Sequence, residues 1–168
     1  MPPHLLTDTL HTLQGFLPLC TGPQPSCTDY QRVVGPHLRH VLDHCDALLD
    51  GLRATPALVD YDRRARDTRT EQDRHHAEHR LRRVLLELQQ LEGRDGSQPL
   101  SVRCATHPAR EATPLPSSLA RELQFLQSHA IHHQAVIAAA AQAAGWALPA
   151  DFGMAPATLA QERSLAAD

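Results

Sequence analysis

Apolar residues recur at three- and four-residue spacing in four separate stretches of the chain, the period of an α-helix with one buried face. The first stretch runs from Leu5 to Leu17, with Leu5, Leu6, Leu10, Leu13, Phe16 and Leu17 on its stripe. The second starts at Gly35-Pro36, where a first-turn proline is tolerated, and reaches about Arg53. Its apolar arc holds Leu38, Val41, Cys45, Leu48, Leu49 and Leu52, and Arg39, Asp43, Asp46 and Asp50 lie opposite. The third, from about Glu71 to Leu91, turns Ala77, Leu81, Val84, Leu85, Leu88 and Leu91 to one side. The longest runs from Ser118, a capping residue, to Gly145, a stop, with no proline between them and Leu119, Leu123, Leu126, Ala130 and Ile137 inward.

The connections have a different texture. Thr21 to Ser26 contains Gly22, Pro23 and Pro25 and reads as a loop. Ala54 to about Arg69 carries the dense run Tyr61-Asp62-Arg63-Arg64-Ala65-Arg66-Asp67. Glu92 to Pro116 is a long crossover rich in glycine, proline and serine, with one short strand expected around Leu100 to Cys104. An irregular tail follows from about residue 146, and a short helix is expected around Ala157 to Ala166. Four amphipathic helices without a convincing sheet predict an all-α fold, a four-helix bundle with long connections, over a single domain 1–168.

Composition narrows the chemistry. The 16 cationic residues of the 168 are all arginine, which removes every mechanism built on lysine, including Schiff bases and the P-loop lysine. A net charge of -3 gives no electrostatic footprint for nucleic acid or an anionic membrane. The first residues lack a signal-peptide pattern, and no run approaches the roughly 20 apolar residues of a bilayer span, so a soluble cytoplasmic protein is expected. Cys20, Cys27, Cys45 and Cys104 follow no zinc-ribbon or redox spacing, so reduced thiols are the default.

Twelve histidines are the unusual feature. His129 and His133 stand four apart on the fourth helix, on the arc that also carries Glu122, Leu126 and Val136, so both imidazoles point inward. Two buried imidazoles one turn apart can share a cation, or can be core histidines bonded to backbone and side chains. On the second helix His37, His40 and His44 lie within or beside the apolar arc, giving three candidates for a third inward ligand. His75 and His79 repeat the spacing on the third helix but project away from its stripe and read as surface residues. The Arg-Asp run reads either as a solvated, salt-bridged surface or as a cationic lip at which Arg63 and Arg66 hold an anionic ligand.

The runs from Gly35 to His44, from Tyr61 to Asp67, from Arg121 to Phe125 and on to His129-Ala130-Ile131-His132-His133 resemble, in the same order, an uncharacterised branch of the DinB-like superfamily. That resemblance implies a DinB/YfiT-like four-helix bundle, often a homodimer, binding a divalent metal through His40, His129 and His133. It also implies a metal-dependent hydrolase or a thiol S-transferase acting on a small molecule, in some relatives with a low-molecular-weight thiol as cofactor; the cationic lip would suit an anionic substrate. Zinc suits three imidazoles and an open position, as do nickel, iron and manganese. His37, His44 and Glu122 are the candidate catalytic or supporting groups, and His132 is expected to line the pocket. A non-catalytic metal-binding or stress protein with a structural or sensory site is the alternative, and a metal-free buried histidine network is the third reading. Coordination needs neutral imidazoles, so affinity is expected to fall below about pH 6.5.

Overall fold

A computed structural model describes residues 1–23 and 25–166 of the chain. The helices are α1 (Leu5–Gln14), α2 (Leu17–Thr21), α3 (Cys27–Asp29), α4 (Gly35–Arg53), α5 (Arg69–Gln72), α6 (Arg74–Gln89), α7 (Leu119–Ala144) and α8 (Pro156–Leu165), with a π-helical turn at Tyr30–Val34 feeding into α4. The apolar stripes of α1, α4, α6 and α7 meet in one core, where Leu13, Leu38, Leu42, Leu81, Leu88, Leu119, Leu123 and Ile137 are fully buried.

Local chemistry sets the ends of these helices. Ser118 Oγ accepts from the Arg121 N–H at the start of α7, and Gly145 closes that helix in the left-handed region at φ 70°. The expected first helix splits in two, α1 ending at Gln14 and α2 resuming at Leu17 with Pro18 in its first turn. The third divides as well, because the Asp73 side chain accepts from the His75 and His76 N–H groups and starts α6 afresh.

The all-α reading does not hold. Among the described residues β1 (Leu58–Asp60), β2 (Pro99–Arg103) and β3 (Leu115–Ser118) form a mixed sheet in the order β1-β2-β3. β1 and β2 run parallel, with Val59 opposite Val102, and β2 and β3 antiparallel, with Leu100 opposite Ser117. Such short strands cannot display a period of two, and Pro116 in β3 argues against a strand unless that strand is an edge, as here. The sheet lies against α4 at Gly51, where a Cβ would come within 2.7 Å of the Leu58 carbonyl oxygen and Val59 Cα.

The chain therefore leaves α4 at Arg53, pairs as β1 and returns along the helix it has just left. Tyr61 packs against His44, Arg64 reaches His40 and His44, and Glu71 bonds to Arg39. No helix among the described residues is long and apolar enough to cross a membrane.

Candidate metal centre

α4 and α7 pack side by side, and each brings a histidine pair at i, i+4 to their shared face: His40 and His44 from α4, His129 and His133 from α7. His40, His44 and His129 each offer one ligand atom, and these three atoms lie within 4.8 Å of one another. Donors around one tetrahedral ion stand about 3.4 Å apart, so side-chain rotation suffices to close the set. His133 sits beside it, its ring 4.6 Å from that of His129 and 4.9 Å from that of His40, but its Nδ1 lies 2.8 Å from His37 Nδ1.

Hydrogen bonding fixes which nitrogens have free lone pairs. His44 Nδ1 lies 2.8 Å from the His40 carbonyl oxygen, which can only accept, so Nδ1 carries the proton and Nε2 keeps its lone pair. Orientation of a ligating imidazole through its other nitrogen by a backbone carbonyl is the usual arrangement in metal sites. The Nε2 atoms of His129 and His133 are buried with no hydrogen-bond partner. Orphaned buried polar atoms are uncommon, and a cation is the partner that would satisfy both; the residues present fit a divalent ion.

Burial, with help from neighbouring imidazoles, holds these groups neutral. His40 is pushed down to about 4, and His129 and His133 to about 3, from an ordinary 6.5. Burial also lowers His37 and His44. Proton competition for a cation at this cluster is therefore displaced below the 6.5 expected from unperturbed imidazoles.

Behind the cluster lies an aromatic and carboxylate layer. Tyr61 packs at a tilt against His44 and Phe125, and Phe125 stacks on His129 with ring centroids 5.5 Å apart. Glu122 is buried, accepting from Tyr61 Oη at 2.8 Å and Ser117 Oγ at 2.5 Å, and bonds to none of the histidines. Arg63, Arg66 and His132 are exposed, whereas Arg64 turns inward and places Nη1 3.0 Å from His40 Nδ1 and 3.1 Å from His44 Nε2.

Of the residues singled out in the sequence, the structure gathers His37, His40, His44, His129 and His133, and leaves Arg63 and Arg66 outside. From the Arg-Asp run Arg63 and Arg66 were singled out rather than Arg64, and His44 was one of three candidates for the third ligand, of which the resemblance selected His40. The signal for His44 was present, since His40 and His44 have the same i, i+4 spacing that drew attention to His129 and His133.

No family model matches this chain, and no solved structure matches it. The chain is similar to FK506-binding protein 5 of Rhizopus delemar, at 35% identity over 104 residues, a match taking in 61% of this chain. It spans 27% of that protein's length.

Proposed function

We propose that the chain binds a divalent cation through its histidine cluster and serves as a metal-dependent hydrolase or thiol S-transferase of the DinB-like kind. The observation that carries this reading is the convergence of His40, His44 and His129 donor atoms within 4.8 Å, beside buried and unpartnered Nε2 atoms on His129 and His133. Zinc fits an all-imidazole set best, with nickel, iron and manganese as alternatives. The fungal likeness covers too little of its partner to add to the argument.

In this reading His40, His44 and His129 would hold the ion, which would supply Lewis acidity to a bound water or thiol. Burial keeps the imidazoles neutral and therefore competent as ligands across the physiological range. The His37 and His133 rings, with their Nδ1 atoms 2.8 Å apart, link the cluster to the more exposed face of α4. Glu122 holds Tyr61 in place, and through it the His44 ring. Four free cysteines suit the reducing cytoplasm, and an anionic small molecule is the substrate class.

One observation favours a second reading, a non-catalytic site of structural or sensory purpose. His133 is near enough to act as a fourth imidazole, and four protein ligands would leave no open position.

Metal analysis of protein purified without a polyhistidine tag tests the proposal, with His44→Ala and His133→Ala compared. One bound ion per chain, lost in His44→Ala and retained in His133→Ala, supports an open three-imidazole site. Loss in both points to the closed set. Absence of bound metal in wild-type protein after exposure to zinc defeats both readings.

A further inference from the structure

The histidine cluster contains a positive charge that no side chain neutralises. Among the described residues no carboxylate lies within ion-pair distance of Arg64, because those nearby are engaged elsewhere. Glu122 is held by Tyr61 and Ser117, Asp43 by Arg39 and Arg80, and Asp67 by His76 and Thr70. Asp60 accepts from the Asp62 and Arg63 N–H groups and from Arg103.

A guanidinium only donates, through five N–H groups. Arg64 Nη1 meets His40 Nδ1 at 3.0 Å, His44 Nε2 at 3.1 Å and His44 Nδ1 at 3.2 Å, but the last already carries a proton directed at the His40 carbonyl. Two lone pairs remain for the two Nη1 hydrogens, while Arg64 Nε is buried with no partner at all. Those lone pairs are also among the ones a cation would take. Once an ion binds, Arg64 loses acceptors and the pocket gains two more positive charges. A buried donor on a half-buried charge calls for an acceptor of the other sign, and a guanidinium edge matches two oxygens side by side.

We propose that the ligand taken up at this site carries a carboxylate, and that Arg64 is the residue that binds it. The part played by the ion rests on the metal reading above, whereas the unpartnered Nε and the unneutralised guanidinium stand without it. Two anchors shape the segment to this end: Asp60 caps the turn before Arg64, and Arg66 takes a left-handed φ of 52° after it, which sends Arg64 inward and leaves Arg63 and Arg66 outside.

Cobalt(II)-loaded protein titrated with acetate tests the proposal through the visible bands of the metal. Acetate should shift the bands saturably in wild type and in Arg63→Gln, and bind at least about tenfold more weakly to Arg64→Gln. Cobalt itself should bind Arg64→Gln as tightly as wild type or more so, since a competitor for the lone pairs is gone. If cobalt binds but acetate leaves the bands unmoved, or binds wild type and Arg64→Gln alike, the proposal is overturned and the metal reading survives. Weaker cobalt binding by Arg64→Gln would make Arg64 a structural prop, again overturning it.

If cobalt does not bind at all, the metal reading fails. Acetate titrated into the metal-free chain, followed through the histidine ring protons by NMR, then decides: binding lost in Arg64→Gln supports the proposal, and no binding by wild type ends it. Should Arg64→Gln not fold by circular dichroism, Arg64→Lys keeps the charge without the two-pronged edge. Its acetate affinity should fall, and an affinity equal to wild type refutes the assignment.

Discussion

Acidification of the metal-free protein should lower its stability through its buried imidazoles. In the unfolded chain the imidazoles of His40, His129 and His133 take up protons as pH falls through 6.5, while in the folded chain burial delays this to about 4, 3 and 3. A depressed histidine pKa means that stability is complete above about pH 7 and is lost as pH falls from 6.5 toward 4. At pH 5 each imidazole has cost up to roughly 2 kcal/mol, or about 6 kcal/mol for the three. His40 and His129 are partly open to solvent, which halves this to about 3 kcal/mol. For a chain of this size that is a fall in Tm of roughly 6–12 °C. Asp67 and Asp73 are held below the usual carboxylate range by hydrogen bonds from His76 and to the start of α6, so they lose nothing until lower pH. Chelator-treated protein melted by circular dichroism at pH 8, 6.5 and 5 gives the comparison, with His129→Gln/His133→Gln expected to retain about a third of the loss. Equal Tm at pH 8 and pH 5, or an undiminished loss in the double variant, would refute the reasoning.

Other expectations follow from single interactions. Asp43→Asn removes the buried charge that accepts from Arg39 Nη1 at 2.8 Å and Arg80 Nη2 at 2.7 Å; urea denaturation should show a loss of about 3 kcal/mol, limited because Arg80 keeps Asp46. Glu122→Gln places an amide N–H against one of the two hydroxyls, Tyr61 or Ser117, that now donate to the carboxylate, and should cost about 1–3 kcal/mol, with cation affinity by equilibrium dialysis staying within about threefold because no imidazole bonds to this carboxylate. Gly153→Ala combines a φ of +79° with a Cβ 2.5 Å from the Ala135 backbone nitrogen, so near-ultraviolet dichroism should show the tail lifting and the edge-to-face packing of Phe152 on Phe16 disrupted, at about 1–3 kcal/mol.

How far the sequence could be read depended on how local the cause was. α4 runs from Gly35 to Arg53 and α7 is flanked by Ser118 and Gly145, as their proline, cap and stop residues foretold. β2 falls where a strand was expected, at Pro99–Arg103, but its partners were hidden because pairing of Val59 with Val102 is a long-range event in strands too short to carry a pattern. Asp43 sits on what looked like the solvent arc of α4, yet is buried, since Arg80 on α6 neutralises it from a neighbouring helix. Among Arg63, Arg64 and Arg66 residue type does not mark the one that turns inward; the hydrogen bonds of Asp60 and the left-handed Arg66 decide that. The histidines were easier, because two i, i+4 pairs on adjacent helices advertise a common face. The resemblance to DinB-like proteins directed attention to His40, His129 and His133, while the shortest mutual distances include His44.

The return of residues 54–72 along the first half of α4 divides the labour within the pocket. Rigid helical rods carry the imidazoles, which are costly to move, while the group that meets an incoming molecule rides on a short turn clamped at Asp60 and Asp67. Substitutions within that turn can change what is admitted without disturbing the packing of one helix on another, so selectivity in this architecture is free to drift while the ligating framework stays fixed.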